Sequence, residues 1–244
     1  MKYLVKIALA SSLLLSTSLF AQDEAEEVDP RGWEGTGEFG LVNTTGNTES
    51  LALNLKMNFI LTTDNWRHRF TGTALTTSED GNKDNERYTA EVQSDRALNE
   101  KSWIFGSFRW DADKFGSYDP QLVLSAGYGR ELMKSENHVL KGEIGAGYRD
   151  LTERVSGESS SDAIARFLLD DFWQIWESTA WTNRLLIETG KNNTFTQFDT
   201  GLTVAMNDRF AIKLGFQIRN NSDIPPGDTE KTDTITSANL VYNF

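Results

Sequence analysis

The sequence predicts an all-β chain, a transmembrane antiparallel up-and-down β-barrel of about twelve strands behind a cleaved signal peptide. Three observations carry that expectation. From Trp33 onward apolar and polar residues alternate with period two, the period of a strand with two unlike faces. The connections between the alternating segments are by turns short and long, the rhythm of a membrane barrel with an even strand number. The chain opens on a short apolar export segment and closes on an alternating run that ends in an aromatic, Ala238, Leu240, Tyr242, Phe244.

Composition removes the competing classes. Of 244 residues, 38% are hydrophobic and 19 are glycine, too many for a disordered chain. A mean hydropathy of -0.47 excludes a bundle of transmembrane helices. The absence of cysteine excludes disulfide frameworks, thiolate zinc sites, cysteine nucleophiles and a lipoprotein anchor. A formal charge of -12 argues against nucleic acid, because phosphate binding needs a basic face.

Residues 1–21 read as a Sec-type signal peptide: Lys2 and Lys6, an apolar stretch from Ile7 to Phe20, and Ala21 at its end. The run is short for an uncleaved anchor. Residues 22–31 form an acidic, disordered lead-in, and 32–244 the barrel. Its segments start near 33, 50, 66, 87, 103, 121, 138, 162, 180, 194, 210 and 232, each about ten to twelve residues long, enough to cross a bilayer when tilted. The second shows the pattern plainly: Leu51, Leu53, Leu55, Met57, Phe59 and Leu61 alternate with Ala52, Asn54, Lys56, Asn58 and Ile60. The eleventh does likewise, with Phe210, Ile212, Leu214, Phe216 and Ile218 on one side. The pattern is weakest over 162–175, where Leu168, Leu169 and Phe172 blur it and Asp171 falls on the apolar side.

Alternation does not say which face meets lipid. The export segment, the terminal Tyr242 and Phe244 as an assembly signal, and Trp66, Trp103, Trp173, Trp181 and Phe210 beside short turns as a periplasmic aromatic girdle all favour an apolar face turned outward. Closure also removes sheet edges that an open set of strands exposes.

Gly32-Trp33-Glu34-Gly35 through Asn43-Thr44-Thr45-Gly46-Asn47-Thr48 resembles the start of a bacterial family. The likeness continues through Trp66-Arg67-His68, Glu86-Arg87-Tyr88, Ser117-Tyr118-Asp119, Ser125-Ala126-Gly127-Tyr128-Gly129, His138, Gly147-Tyr148-Arg149 and Leu240 to Phe244. The family is the salt-induced outer membrane protein (YdiY-like) family, a domain of unknown function. The resemblance covers almost the whole mature chain. It implies a barrel in the bacterial outer membrane and carries no catalytic residues to transfer.

Motifs of enzymes and metal sites fail on context. Gly35-Thr36-Gly37-Glu38-Phe39-Gly40 spells a dinucleotide fingerprint but lies inside a β-pattern with no following helix, where glycine marks a bend or close packing. Asp111 to Gly116 starts like a calcium loop, but Phe115 and Leu122 stand where ligands belong. The acidic loop from Glu79 to Glu86 reads as a solvated run. A lipid-face hydrolase needs a serine beside a histidine; His68 and His138 fall on the lipid face just after short turns, and read as interfacial anchors. No cofactor or metal is expected.

The inward face is charged and balanced. Arg or Lys occupies positions 56, 67, 69, 87, 109, 141, 149, 166, 184, 213 and 219, and Asp or Glu positions 34, 38, 91, 95, 111, 131, 143, 170, 188, 199 and 233. Internal ion pairs are expected among Arg67, Arg87, Glu91, Asp95, Arg109, Glu143, Arg149, Arg166, Arg184 and Glu188. Eight strands are filled by side chains and sixteen leave a channel, so twelve allow a narrow pore or a hydrated polar plug. The long loops hold the surplus acids, which makes their rim acidic. The expected function is therefore a structural or stress (salt)-related outer-membrane barrel with a narrow lumen. The alternative is a small passive channel, and more distantly a lipid-acting enzyme. Expected partners are outer-membrane lipid and lipopolysaccharide and the assembly machinery. A monomer is expected, with no nucleic acid.

Overall fold

The computed structural model describes residues 31–44, 50–80, 82–225 and 230–244. The expected signal peptide and lead-in lie outside them. Twelve strands run in chain order: β1 Gly32–Thr44, β2 Ser50–Thr62, β3 Trp66–Glu79, β4 Asn82–Asn99, β5 Ser102–Asp113, β6 Tyr118–Lys134, β7 His138–Glu153, β8 Ser159–Trp176, β9 Thr179–Gly190, β10 Thr194–Ala205, β11 Phe210–Asn221 and β12 Thr232–Asn243. Each pairs antiparallel with its sequence neighbours, and β1 meets β12 to close a single barrel.

The strands are longer than the alternation indicates. They run from 12 to 18 residues, and β4, β6 and β8 start several residues early, on the long-loop side. There the pairing continues through segments polar on both faces, such as Ser159-Ser160-Ser161 opposite Asp150, Leu151 and Thr152. Backbone hydrogen bonds hold such a ladder together where no apolar face marks it in the sequence.

The faces are inverted relative to a soluble protein. Leu124, Ile144 and Leu214 stand 57–62% exposed on the outer wall, while Arg149, Glu188 and Gln93 are buried inside. In water such a wall would leave an unbroken apolar surface uncovered. Against hydrocarbon it is the favourable side, and every backbone group within a closed ladder is paired without water. On β8 the blurred alternation has a local cause. Leu168 and Phe172 point inward, Leu169 and Trp173 outward, because the lumen is apolar at that point and Leu168 packs on Leu186 and Phe195.

Candidate functional site

The inward residues of all twelve strands converge on the lumen, so that is where the chain's buried chemistry lies. A cavity of about 340 Å³ occupies it, lined by charged side chains such as Lys56, Arg69, Glu91, Asp170 and Arg184 together with Thr, Asn and Gln.

Many of the charge pairs among the described residues join neighbouring strands, where register brings the partners close. Arg67 of β3 lies 2.7 Å from Asp95 of β4, Arg166 of β8 2.7 Å from Glu143 of β7, and Arg184 of β9 2.9 Å from Asp170 of β8. Arg87 pairs with Asp113 of β5, and Arg149 lies 3.5 Å from Asp162. Gln93 ties two of these pairs together, donating to Asp95 at 2.8 Å and to Glu143 at 2.9 Å.

The remaining pairs reach across the lumen. Arg109 of β5 donates to both oxygens of Glu188 of β9, at 3.1 and 2.6 Å. Arg219 of β11 meets Asp111 of β5, on the opposite wall. Arg87 also reaches Asp233 of β12 at 2.9 Å, and Arg184 comes within 3.9 Å of Glu91 of β4; Lys213 of β11 instead lies 2.8 Å from Glu38 of β1, past the single intervening strand β12. Arg149 is wholly buried and donates to the backbone carbonyl of Asn193 at 2.6 Å. Of the ten residues singled out in the lumen, Arg67, Asp95, Glu143 and Arg166 are linked through Gln93, Arg109, Glu188 and Arg149 form a second group, Arg184 and Glu91 a third, and Arg87 pairs apart from them with Asp113 and Asp233.

Three features of this set depart from the sequence reading, although strand parity with the inward Arg109, Asp111 and Asp199 marks Trp103, Phe105 and Phe195. The lumen is not lined by polar groups alone: Phe195, 1% exposed, sits inside with the Arg109 and Arg219 guanidiniums each 5.2 Å from its ring. Arg166 lies 4.7 Å from the ring of Phe105. Desolvated contacts of this kind are worth about 2 kcal/mol. Trp103 does not join the aromatic girdle. It faces inward and donates to Glu143 at 3.2 Å, and Gly129 makes room for its ring, since a Cβ there would lie 2.2 Å from it. Asp113 and Asp162, loop acids by sequence, turn inward to Arg87 and Arg149. The rim is further neutralised where Glu86 lies between Lys83 and Lys114; that hydrogen bond holds the Lys114 ammonium above its ordinary pKa.

The outer wall carries two small polar clusters near the short turns. His68 Nδ1 lies 2.9 Å from Ser94 Oγ, and its ring stacks on Trp66. His138 Nε2 lies 2.6 Å from Asp171 Oδ1, and Asn183 donates to the other Asp171 oxygen at 3.0 Å. The serine and the carboxylate thus belong to different histidines on separate parts of the wall. Aromatic side chains exposed on this rim include Trp66, Trp173, Trp181 and Phe210. Two glycines of the Gly35–Gly40 motif have packing roles instead of a phosphate: Gly35 admits the ring of Phe244 and Gly40 the side chain of Asn239.

A closed twelve-strand barrel with an apolar outer wall and a charged, ion-paired interior defines a β-barrel of the membrane-spanning class. The chain belongs to the family described as "Protein of unknown function, DUF481", which matches residues 37–244. It is similar to "Uncharacterized protein YdiY" of Escherichia coli (strain K12), 27% identical over 250 residues, 98% of this chain and 96% of that one. Among solved structures it is similar to the NanC porin (TM-score 0.44, 10% identity, 87% of this chain and 98% of that one). It is also similar to the KdgM porin (0.43, 11%, 87% and 99%) and to the translocator domain of the autotransporter NalP from Neisseria meningitidis (0.46, 9%, 89% and 90%).

Proposed function

We propose that this protein is a non-enzymatic barrel of the bacterial outer membrane, with a structural or salt-stress role, whose lumen is held nearly closed by ion pairs. The observation that carries the reading is the layer around Phe195. Two arginines lie against its ring, and each is bound to an acid on another strand across the lumen, Arg109 to Glu188 and Arg219 to Asp111. An open pore leaves its charges hydrated and its cross-section empty; here an aromatic ring and four charged groups lie inside the barrel toward the long-loop ends of β5, β9, β10 and β11. The salt-related half of the reading rests on the family resemblance. Export through a Sec-type signal, insertion by the assembly machinery, and lipid and lipopolysaccharide as neighbours of a monomer belong to the same proposal.

Conductance of purified, refolded protein in a planar bilayer tests it. The unmodified protein should show no openings, or small and weakly selective ones, and Arg109→Ala should raise the conductance. A large, stable, strongly selective pore in the unmodified protein would overturn the reading in favour of a passive channel. Phospholipid hydrolysis that disappears with His68→Ala or His138→Ala would overturn both.

A further inference from the structure

The barrel does not close along its full height. The ladder between β1 and β12 runs from Gly35 and Phe244, which exchange two backbone hydrogen bonds of 3.0 Å, to Phe39 opposite Leu240. Above that point, toward the long loops, no pairing joins the two strands among the described residues. Each nevertheless remains a strand, held from its other side. Gly40 to Thr44 stay paired with Asn54 to Ser50 of β2, and Thr232 to Asn239 with Asn220 to Lys213 of β11. At every other seam the ladder follows most of the strand; β10 and β11, for example, pair from Phe195–Asn221 to Ala205–Ala211.

A wedge-shaped gap results, with Asn239 at its vertex. The Asn239 amide donates to Glu38 at 3.3 Å and accepts from Asn54 at 3.5 Å. Glycine at position 40 leaves room for it, since a Cβ there would lie 2.3 Å from Asn239 Oδ1 and 3.0 Å from the Ala238 carbonyl. Past the vertex lies a second cavity of about 310 Å³. It is lined by both faces of β12: the outward Thr234, Thr236 and Ala238 and the inward Ile235, Ser237 and Asn239. Asn54, Leu75 and Asn239 line it and the lumen cavity alike. The cavity therefore lies along the unpaired edge of β12 and adjoins the lumen.

An open sheet edge is costly in hydrocarbon, and it is tolerated only where it lines a hydrated or polar space. An occupant of this gap must offer hydrogen-bonding groups to the two edges and to the lumen. On the outside it must be at home among acyl chains. We propose that the β1–β12 gap is a lateral slot for an acyl-chain amphiphile, whose polar headgroup enters the lumen between Ser237 and Asn54 while its chains stay in the bilayer. The small outward side chains at 234, 236 and 238 leave the path clear. The inference goes beyond the nearly closed lumen: conductance reads the path along the axis, and the slot is read through the wall, so each can fail alone.

Because the chain has no cysteine, single labels are clean. Ser237→Cys and, on the closed wall facing the same lumen, Thr89→Cys would carry a bimane fluorophore. The proteins would be placed in vesicles of phosphatidylethanolamine and phosphatidylglycerol containing phosphatidylcholine with a nitroxide on its headgroup. Quenching at position 237 should exceed that at 89 several-fold, and adding Ala238→Phe to fill the slot should remove the difference. Equal quenching at the two positions, or quenching at 237 that Ala238→Phe leaves intact, would overturn the proposal. So would spontaneous disulfide-linked dimers of Thr236→Cys in the same vesicles, which would make a second copy the occupant of the edge.

Discussion

At position 35 a phenylalanine ring occupies the place a side chain would take. A Cβ on Gly35 would lie 2.2 Å from Phe244, whose ring also packs edge-on against Phe59 at 5.5 Å and stacks on Tyr242. Phe244 is thereby seated on β1, at the stretch where the seam is laddered among the described residues. Deletion of Phe244, or Gly35→Val, should lower the membrane-inserted, folded fraction without altering export, read as the ratio of folded to unfolded bands on unheated gels. Unchanged insertion would remove Phe244 from the closure. At Arg109 the same scale of argument concerns charge. Glu188 is 1% exposed and Arg109 is its cation. Arg109→Met should destabilise the barrel by about 3–5 kcal/mol, because it leaves a buried carboxylate uncompensated. Adding Glu188→Met should restore much of that loss, since replacing a whole buried pair by apolar groups is close to neutral. Urea unfolding of the vesicle-bound protein measures both, and equal losses in the single and double variants would contradict the pairing.

For a whole strand, the decisive quantity is which face meets lipid. Leu55, midway along β2, points outward, and Leu55→Arg should cost about 2–4 kcal/mol near the bilayer midplane. Thr89 of β4 points into the lumen beside Glu91 and Asp111, so Thr89→Arg should cost a small fraction of that. Equal costs in urea titrations would mean that inside and outside are exchanged. Strand existence and order were legible from period-two alternation because pleating is a local property of the backbone. Strand ends on the long-loop side were not, since polar segments such as Ser159-Ser160-Ser161 carry a ladder without an apolar face. Trp103 shows a second limit. Proximity to a short turn places a tryptophan at the right height for a girdle, but its position relative to the pleat turns it inward, where Gly129 receives it. β8 shows a third. Its blurred alternation records that the lumen holds Leu168, Leu186 and Phe195, an apolar cluster inside a polar cavity.

The whole molecule should behave as one barrel. In SDS without heating it should migrate apart from the boiled chain, with a strand-dominated circular dichroism spectrum; a helical spectrum, or full solubility without detergent, would contradict the barrel. Raising ionic strength should affect the lumen only modestly, because Arg109, Glu188 and Arg149 are buried and screening acts mainly on exposed charges. Conductance that rises steeply with salt beyond the bulk conductivity would show that these pairs are solvated. Although Asp113 and Asp162, read as loop acids, turn inward to Arg87 and Arg149, the number of strands and most of the inward charges are readable along the chain, because pleating and turns are local. The partners of those charges are not. Arg109 meets Glu188 across 79 residues and Arg219 meets Asp111 across 108, which depends on how closure and stagger align opposite walls. The gap above Phe39 and Leu240 has the same origin. It depends on how twelve twisted strands bring the first and the last together, a relation between strands that no alternation within either one records.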